Sequence, residues 1–237
     1  TRSEWVFYYL SKNNLKVVYE CHQLSKLKKV LLPISIKKQT SKIIFLNEEL
    51  KVDAKIKKAY DSKIQVVHNG VDEELFKTKV RKEKKSVIFS GNLSRFNSER
   101  NLDFIIQAFS DPKLRDFNLS IVGASESEFA SLNKNIEQLG LSERISVEKW
   151  VDREQSIKRI QKSSIGILIN SETNLHSTKY TSPLKYFEYL YAGLSVVAVD
   201  YKAHRILPYS ESISFFNSNN KSNFINAVLK ASNSSYS

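Results

Sequence analysis

The chain has 237 residues, 41% of them hydrophobic, and 37 basic against 25 acidic side chains give it a formal net charge of +12. Length and apolar content allow one large or two small domains with a sizeable core. No run approaches the roughly eighteen apolar residues of a membrane span, and the amino end has no signal-peptide pattern, so a soluble chain is expected. The single cysteine, Cys21, excludes an internal disulfide and a cysteine-built zinc site, which makes a reducing, cytoplasmic setting the expectation.

The positive charge suits an anionic partner, but its lysines are spread through "LSKLKKVLLPISIKKQTSK" and "FKTKVRKEKKSV". There is no zinc-finger spacing, basic glycine-rich arm or aromatic RNA-binding signature, so a solvated lysine-rich surface is favoured over a nucleic-acid face. The chain contains no methionine and begins at Thr1 directly in a helix-like pattern. It is therefore read as a processed or truncated piece.

In chain order, Trp5 to Leu10 has a helical apolar pattern and "LKVVYE" (15–20) is a short strand. A lysine-rich segment without an assigned element follows. "KIIFLN" (42–47) reads as a strand, "EELKVDAKIKKAY" (48–60) as a helix and "IQVVHNG" (64–70) as a strand ending in a turn. The continuous apolar runs imply parallel strands buried on both faces. Residues 73–85 are polar, lack apolar periodicity and read as a linker. Strands are then expected at 86–91, 118–123, 144–150, 165–170 and 194–200, alternating with helices at 100–110, 127–140, 153–163, 182–193 and 222–232. This alternation predicts a doubly wound α/β domain over 86–237, whose ligand sits at the carboxyl ends of its strands. Residues 1–72 read as the second half of another such domain.

One helix start is electrostatically odd. Ser182 and Pro183 are helix-initiating residues, yet Lys185 puts a cation in the first turn, where the dipole favours an acid. A phosphate at the free N–H groups would reverse that objection. Glu188, one turn deeper on the same face, could then accept hydrogen bonds from a ribose diol. The alternative is a surface Lys185–Glu188 pair of a few tenths of a kcal/mol. Spacing alone leaves both open. Gly91 and Gly123 end strands at the ligand-facing edge, where a missing side chain admits a ligand to the backbone, while Gly70 and Asn69 read as turn residues and Gly193 as a helix stop.

These segments carry a resemblance. "SPLKYFEYLYAG" resembles the nucleotide-binding helix of the retaining GT-B glycosyltransferases of family 4. "VVHNGVDEELF", "VIFSGNLSRFNSERNLDFIIQAF" and "LSIVG" resemble, in order, that family's entry into its second domain, its first strand with phosphate loop and helix, and its second strand. "VVYECHQ" resembles the first-domain strand whose terminal histidine, here His22, approaches the transferred sugar.

The resemblance implies a GT-B fold entered midway through its first Rossmann-like domain, so that the chain is an amino-terminally truncated enzyme. It implies transfer of a sugar from a nucleotide-diphosphate donor to a polysaccharide or lipid-linked acceptor with retention, the donor diphosphate itself helping to take the acceptor's proton. By the same resemblance Glu188 binds the ribose. Ser182, Pro183, Leu184 and Lys185 face the diphosphate, and Arg100 and Arg95 clamp it in place of the family's arginine, which is Asn92 here. No cofactor or metal is implied. The basic balance agrees with work at an anionic membrane face. Where the family has a first glutamate, eight residues before Glu188, this chain has Tyr180. A GT-B sugar-nucleotide epimerase, a non-catalytic nucleotide-binding module and a basic nucleic-acid binder are the alternatives.

Overall fold

The computed structural model describes residues 1–95 and 98–233, the side chains of residues 95, 98 and 99 excepted. The chain divides into two compact units. One comprises Thr1–Asn69, Leu175–Ser182 and Tyr201–Pro208; the other comprises Gly70–Asn174, Pro183–Asp200 and the chain from Tyr209 on.

The first unit is built on three parallel strands in the order β1 (Val17–Cys21), β2 (Ser41–Phe45) and β3 (Ile64–Val66), with helices α1 (Glu4–Lys12), α2 (Lys26–Ser35) and α3 (Glu48–Asp53). In β1, Val17, Tyr19 and Cys21 point into a core shared with Phe7, Leu32, Ile36, Ile43 and Phe45, while Val18 is exposed. The expected burial on both faces therefore fails for these strands, which alternate inward and outward residues along one buried face. The segment left without an element contains α2. Ser25 caps it by accepting from the Lys28 N–H at 3.1 Å, and Leu31, Leu32 and Ser35 face inward. Its dense lysines and internal Pro33 hide that apolar stripe in the sequence. Helix α3 stops seven residues earlier than its apolar pattern suggests, because Lys55 turns left-handed (φ 53°) and a 3₁₀ segment follows over Lys58–Lys63.

The segment Leu175–Ser182 is tied into this unit. The ring of Tyr180 is buried in the core, and its hydroxyl donates to the Asp53 carboxylate. Lys179 Nζ lies 2.6 Å from Asp53 Oδ2 and 3.4 Å from Glu49, whose other oxygen meets Lys202 at 2.8 Å. Asn47 caps α3 through the Leu50 N–H and donates to the carbonyls of Lys179 and Thr181. Tyr180 thus has a structural partner in Asp53.

These bonds hold the Asp53 carboxyl below its usual range, first through Lys179 and then through Tyr180, while burial and Asp53 push the Tyr180 hydroxyl up to about 12. A depressed carboxyl stabilises the fold fully above its unfolded value, near 3.9, and that contribution is lost as pH falls through the lower folded value. Tyr180→Phe is expected to lower stability at pH 7 by about 1–2 kcal/mol, the scale of one hydrogen bond to a charged group. It should also flatten the loss of stability below pH 4, as read by urea unfolding across pH. Unchanged curves would mean that the bond is absent in solution.

The second unit holds a six-stranded sheet, all neighbours parallel, in the order β8 (Ile145–Lys149), β7 (Asn118–Ala124), β4 (Ser86–Ser90), β9 (Ile165–Leu168), β10 (Ser195–Val199), β11 (Ser214–Phe216). A small antiparallel hairpin, β5 (Ser94–Arg95) and β6 (Ser98–Glu99), follows β4. Helices α4 (Leu102–Ala108), α5 (Glu126–Gln138), α6 (Arg153–Lys162), α7 (Leu184–Tyr191) and α9 (Lys221–Asn233) complete it, while α8 (Lys202–Arg205) belongs to the first unit. Every residue of β4, β9 and β10 is buried, as continuous apolar strands of a doubly covered parallel sheet should be. Strand β11 is too short, among serines and asparagines, to show in the sequence pattern. The sheet begins at its centre with β4 and grows outward in both directions, so strand order reverses between β4 and β9.

Within this unit the charged stretch before β4 is held by specific contacts. Phe76 packs edge-on against Tyr191 at 4.8 Å between ring centres. Lys82 Nζ donates to the carbonyls of Ser163 at 3.3 Å and Ala192 at 2.6 Å, just past α6 and at the end of α7, where the helix dipoles are negative. Burial pushes the Lys82 ammonium below its ordinary range.

Candidate functional site

Helix α7 starts at Leu184, and the preceding Pro183 offers no side-chain cap. Ser182 does not cap it as expected. Its hydroxyl is taken by the Asn69 N–H at 3.2 Å and by His68 Nδ1 at 3.3 Å, inside the first unit. The first backbone N–H groups of α7 consequently have no side-chain acceptor from the cap position. Gly193, left-handed at φ 70°, closes the other end of the helix as expected.

Around that helix start, Ser90, Gly91 and Asn92 after β4, Val122 and Gly123 of β7, Trp150 and Val151 after β8, Arg153 and Ser156 of α6 and Lys185 of α7 line a cleft of about 230 Å³. It opens at the carboxyl ends of the strands. Its floor depends on two glycines. Gly91 (φ 148°) donates its N–H to the Val122 carbonyl at 2.9 Å, and a Cβ on Gly123 (φ 114°) would lie 2.5 Å from the Gly91 carbonyl oxygen. Side chains are thus excluded where two strand ends come closest.

Lys185 and Glu188 do pair, with Nζ 2.8 Å from Oε2, but not on the surface. The Glu188 side chain is 0% exposed, and its other oxygen lies 3.2 Å from Nη2 of Arg153. Neither contact is aligned as a hydrogen bond, so the carboxylate keeps its acceptor capacity. Lys185 also donates to Ser156 Oγ at 3.1 Å, and Ser156 is bonded to Ser90 Oγ at 2.9 Å. Two cations and one carboxylate therefore meet where the first turns of α6 and α7 converge. That local excess of positive charge, added to the N–H groups of Leu184 and Lys185 at the uncapped helix start, suits an anion.

Arg100 approaches the same strand edge from the side of β9. Its Nη1 donates to the Ile169 carbonyl at 3.4 Å, lies 3.9 Å from where a Gly91 Cβ would stand, and its guanidinium rests 5.7 Å from the Phe89 ring centre. The backbone of Arg95 lies in β5, but its side chain is outside the described residues. His22 belongs to the first unit, directly after β1, with Nε2 2.6 Å from Glu20 Oε1. That bond, before any other cause, holds the Glu20 carboxyl below its usual range.

The second unit thus gathers Gly91, Gly123, Arg100, Pro183, Leu184, Lys185 and Glu188, while His22 and Ser182 lie in the first. Sequence reading missed Arg153, Ser156, Ser90 and Trp150. For Arg153 a signal existed: like Lys185, it is a cation in the first turn of a helix. Among the described residues, no group of three or more histidine, cysteine, aspartate or glutamate side chains could hold a metal ion.

A parallel sheet whose order reverses beside such a crevice is a Rossmann-like α/β arrangement. The chain belongs to the family described as glycosyl transferases group 1, whose model matches residues 71–233, more than half of its length. Solved structures share the fold. HepE of Anabaena in complex with UDP superposes with a TM-score of 0.68 at 13% identity, over 96% of this chain and 66% of its own. A glycosyltransferase from Rickettsia africae gives 0.65 at 14% over 96% and 69%, and sucrose-phosphate synthase from Thermosynechococcus elongatus 0.65 at 13% over 96% and 61%. The chain spans about two thirds of the length of these proteins. No curated protein matches the chain. No helix among the described residues is long and apolar enough to cross a membrane.

Proposed function

We propose that this chain carries the donor side of a retaining, family 4 type glycosyltransferase that takes a nucleoside-diphosphate sugar and passes the sugar to a polysaccharide or lipid-linked acceptor. The observation that supports this best is the buried Glu188 carboxylate beneath the starts of α6 and α7, at the point where the strand order of the sheet reverses. A ribose diol would donate to Glu188. The diphosphate would lie against the α7 N–H groups of Leu184 and Lys185, Arg100 and Arg95, over the bare backbone of Gly91 and Gly123. The UDP present in the HepE structure supports a nucleotide of that type.

In the reaction, the bond from the anomeric carbon to the diphosphate breaks while an acceptor oxygen bonds to that carbon on the same face. The acceptor's proton passes to the departing diphosphate, whose charge Arg100, Lys185 and the helix N–H groups stabilise. His22 would steady the sugar. In this reading residues 1–72 form the acceptor-side part, 73–85 the linker and 86–237 the donor-side domain, at work in the cytoplasm or on an anionic inner membrane face.

Calorimetric titration with UDP, GDP and ADP should find one that binds. Arg100→Ala with Glu188→Gln should weaken it about a hundredfold, the loss of two charge-assisted bonds. A chain that ignores all three nucleotides but binds DNA with a steep salt slope would sink this reading.

A further inference from the structure

The Glu188 carboxylate is closed to solvent. Both carboxylate oxygens are buried, and the side chain is 0% exposed. A group expected to receive ligand hydroxyls is thus closed off, and some neighbour must move before it can act. The two cations against it differ in freedom. Lys185 is 27% exposed and is tethered through Ser156 to Ser90 at the end of β4. Arg153 is 48% exposed, lines the cleft, and reaches Glu188 Oε1 through Nη2 at 3.2 Å. Its position in the first turn of α6, behind the capping Asp152, adds a repulsion from the helix dipole that favours release.

We propose that Arg153 is a positioning residue that latches Glu188: it covers the carboxylate in the free protein and swings aside when ribose hydroxyls replace it. This rests on the reading of Glu188 as the ribose acceptor. The latch lowers the apparent affinity for any ligand with a ribose diol by the fraction of molecules that are open. Ligands without the diol never need it opened.

The test uses whichever of UDP, GDP and ADP binds most tightly, together with its 2′,3′-dideoxy counterpart, on the wild type, Arg153→Ala, Arg153→Lys and Glu188→Gln. Thermal melts confirm folding. Arg153→Ala should raise the affinity for the ribonucleotide relative to its dideoxy form about tenfold, corresponding to a competent fraction of roughly one tenth. Arg153→Lys, which restores a cation, should fall between. Equal weakening of both ligands in Arg153→Ala would make Arg153 an ordinary cationic contact and overturn the latch while leaving Glu188's role standing. If the wild type and Glu188→Gln both fail to discriminate ribose from dideoxyribose, Glu188 is not the ribose acceptor and the latch falls with it.

Discussion

Gly166→Ala is expected to destabilise the second unit by about 3 kcal/mol, although it adds one methyl group to the middle of a strand. Gly166 sits in β9, paired on one side with Val196 and on the other with Ile88. A Cβ there would lie 2.3 Å from Cδ2 and 2.5 Å from Cγ of Tyr189. The ring cannot retreat. Tyr189 is fully buried, and its hydroxyl accepts from the Ser90 N–H at 3.2 Å. The clash must therefore push α7 off the sheet or break that bond, and a close-packed interior resists both. Urea unfolding measures the loss. Tyr189→Leu in the same chain should restore part of it, because the two sites are coupled through one contact. A Gly166→Ala protein within 0.5 kcal/mol of wild type would show that α7 does not lie this close to β9.

Gly123→Ala should strike binding harder than any other single methyl. At φ 114° an alanine is strained by about 1–3 kcal/mol, and its Cβ would meet a backbone oxygen, that of Gly91, at 2.5 Å. Backbone cannot rotate out of the way as a side chain can. Separating the ends of β4 and β7 would break the Gly91 N–H to Val122 carbonyl bond and reshape the cleft floor. We expect a stability loss of about 2–4 kcal/mol and at least a tenfold loss of nucleotide affinity in the molecules that remain folded. Titration below the unfolding transition separates the two effects. Undiminished affinity would mean that the ligand does not use this floor.

The two helix-start cations show how far the sequence alone could be read. Lys185 stood out because its position contradicts the dipole rule, and that contradiction pointed at an anion. Arg153 breaks the same rule, but its partner Glu188 is thirty-five residues away along the chain, so only the fold shows what that cation faces. Tyr180 was visible only as a departure from a familiar pattern. Its partner Asp53 lies in another part of the chain, and the bond between them gives it a structural reason. Ser182 looked like a helix cap by residue type, but Asn69 and His68 claim its hydroxyl.

Apolar runs and turn residues by themselves determined most of the alternating strands and helices of the second unit, because burial on both sheet faces leaves long hydrophobic signatures. They also placed Gly91, Gly123 and the start of α7 at one edge, since a parallel sheet puts all its strand ends together. Three matters belonged to the tertiary structure: the α2 stripe behind its lysines, the strand order that reverses between β4 and β9, and the burial of Glu188 between two cations. Each depends on which distant segments meet. Local periodicity carries no record of that, because the energies that decide it come from packing and paired charge.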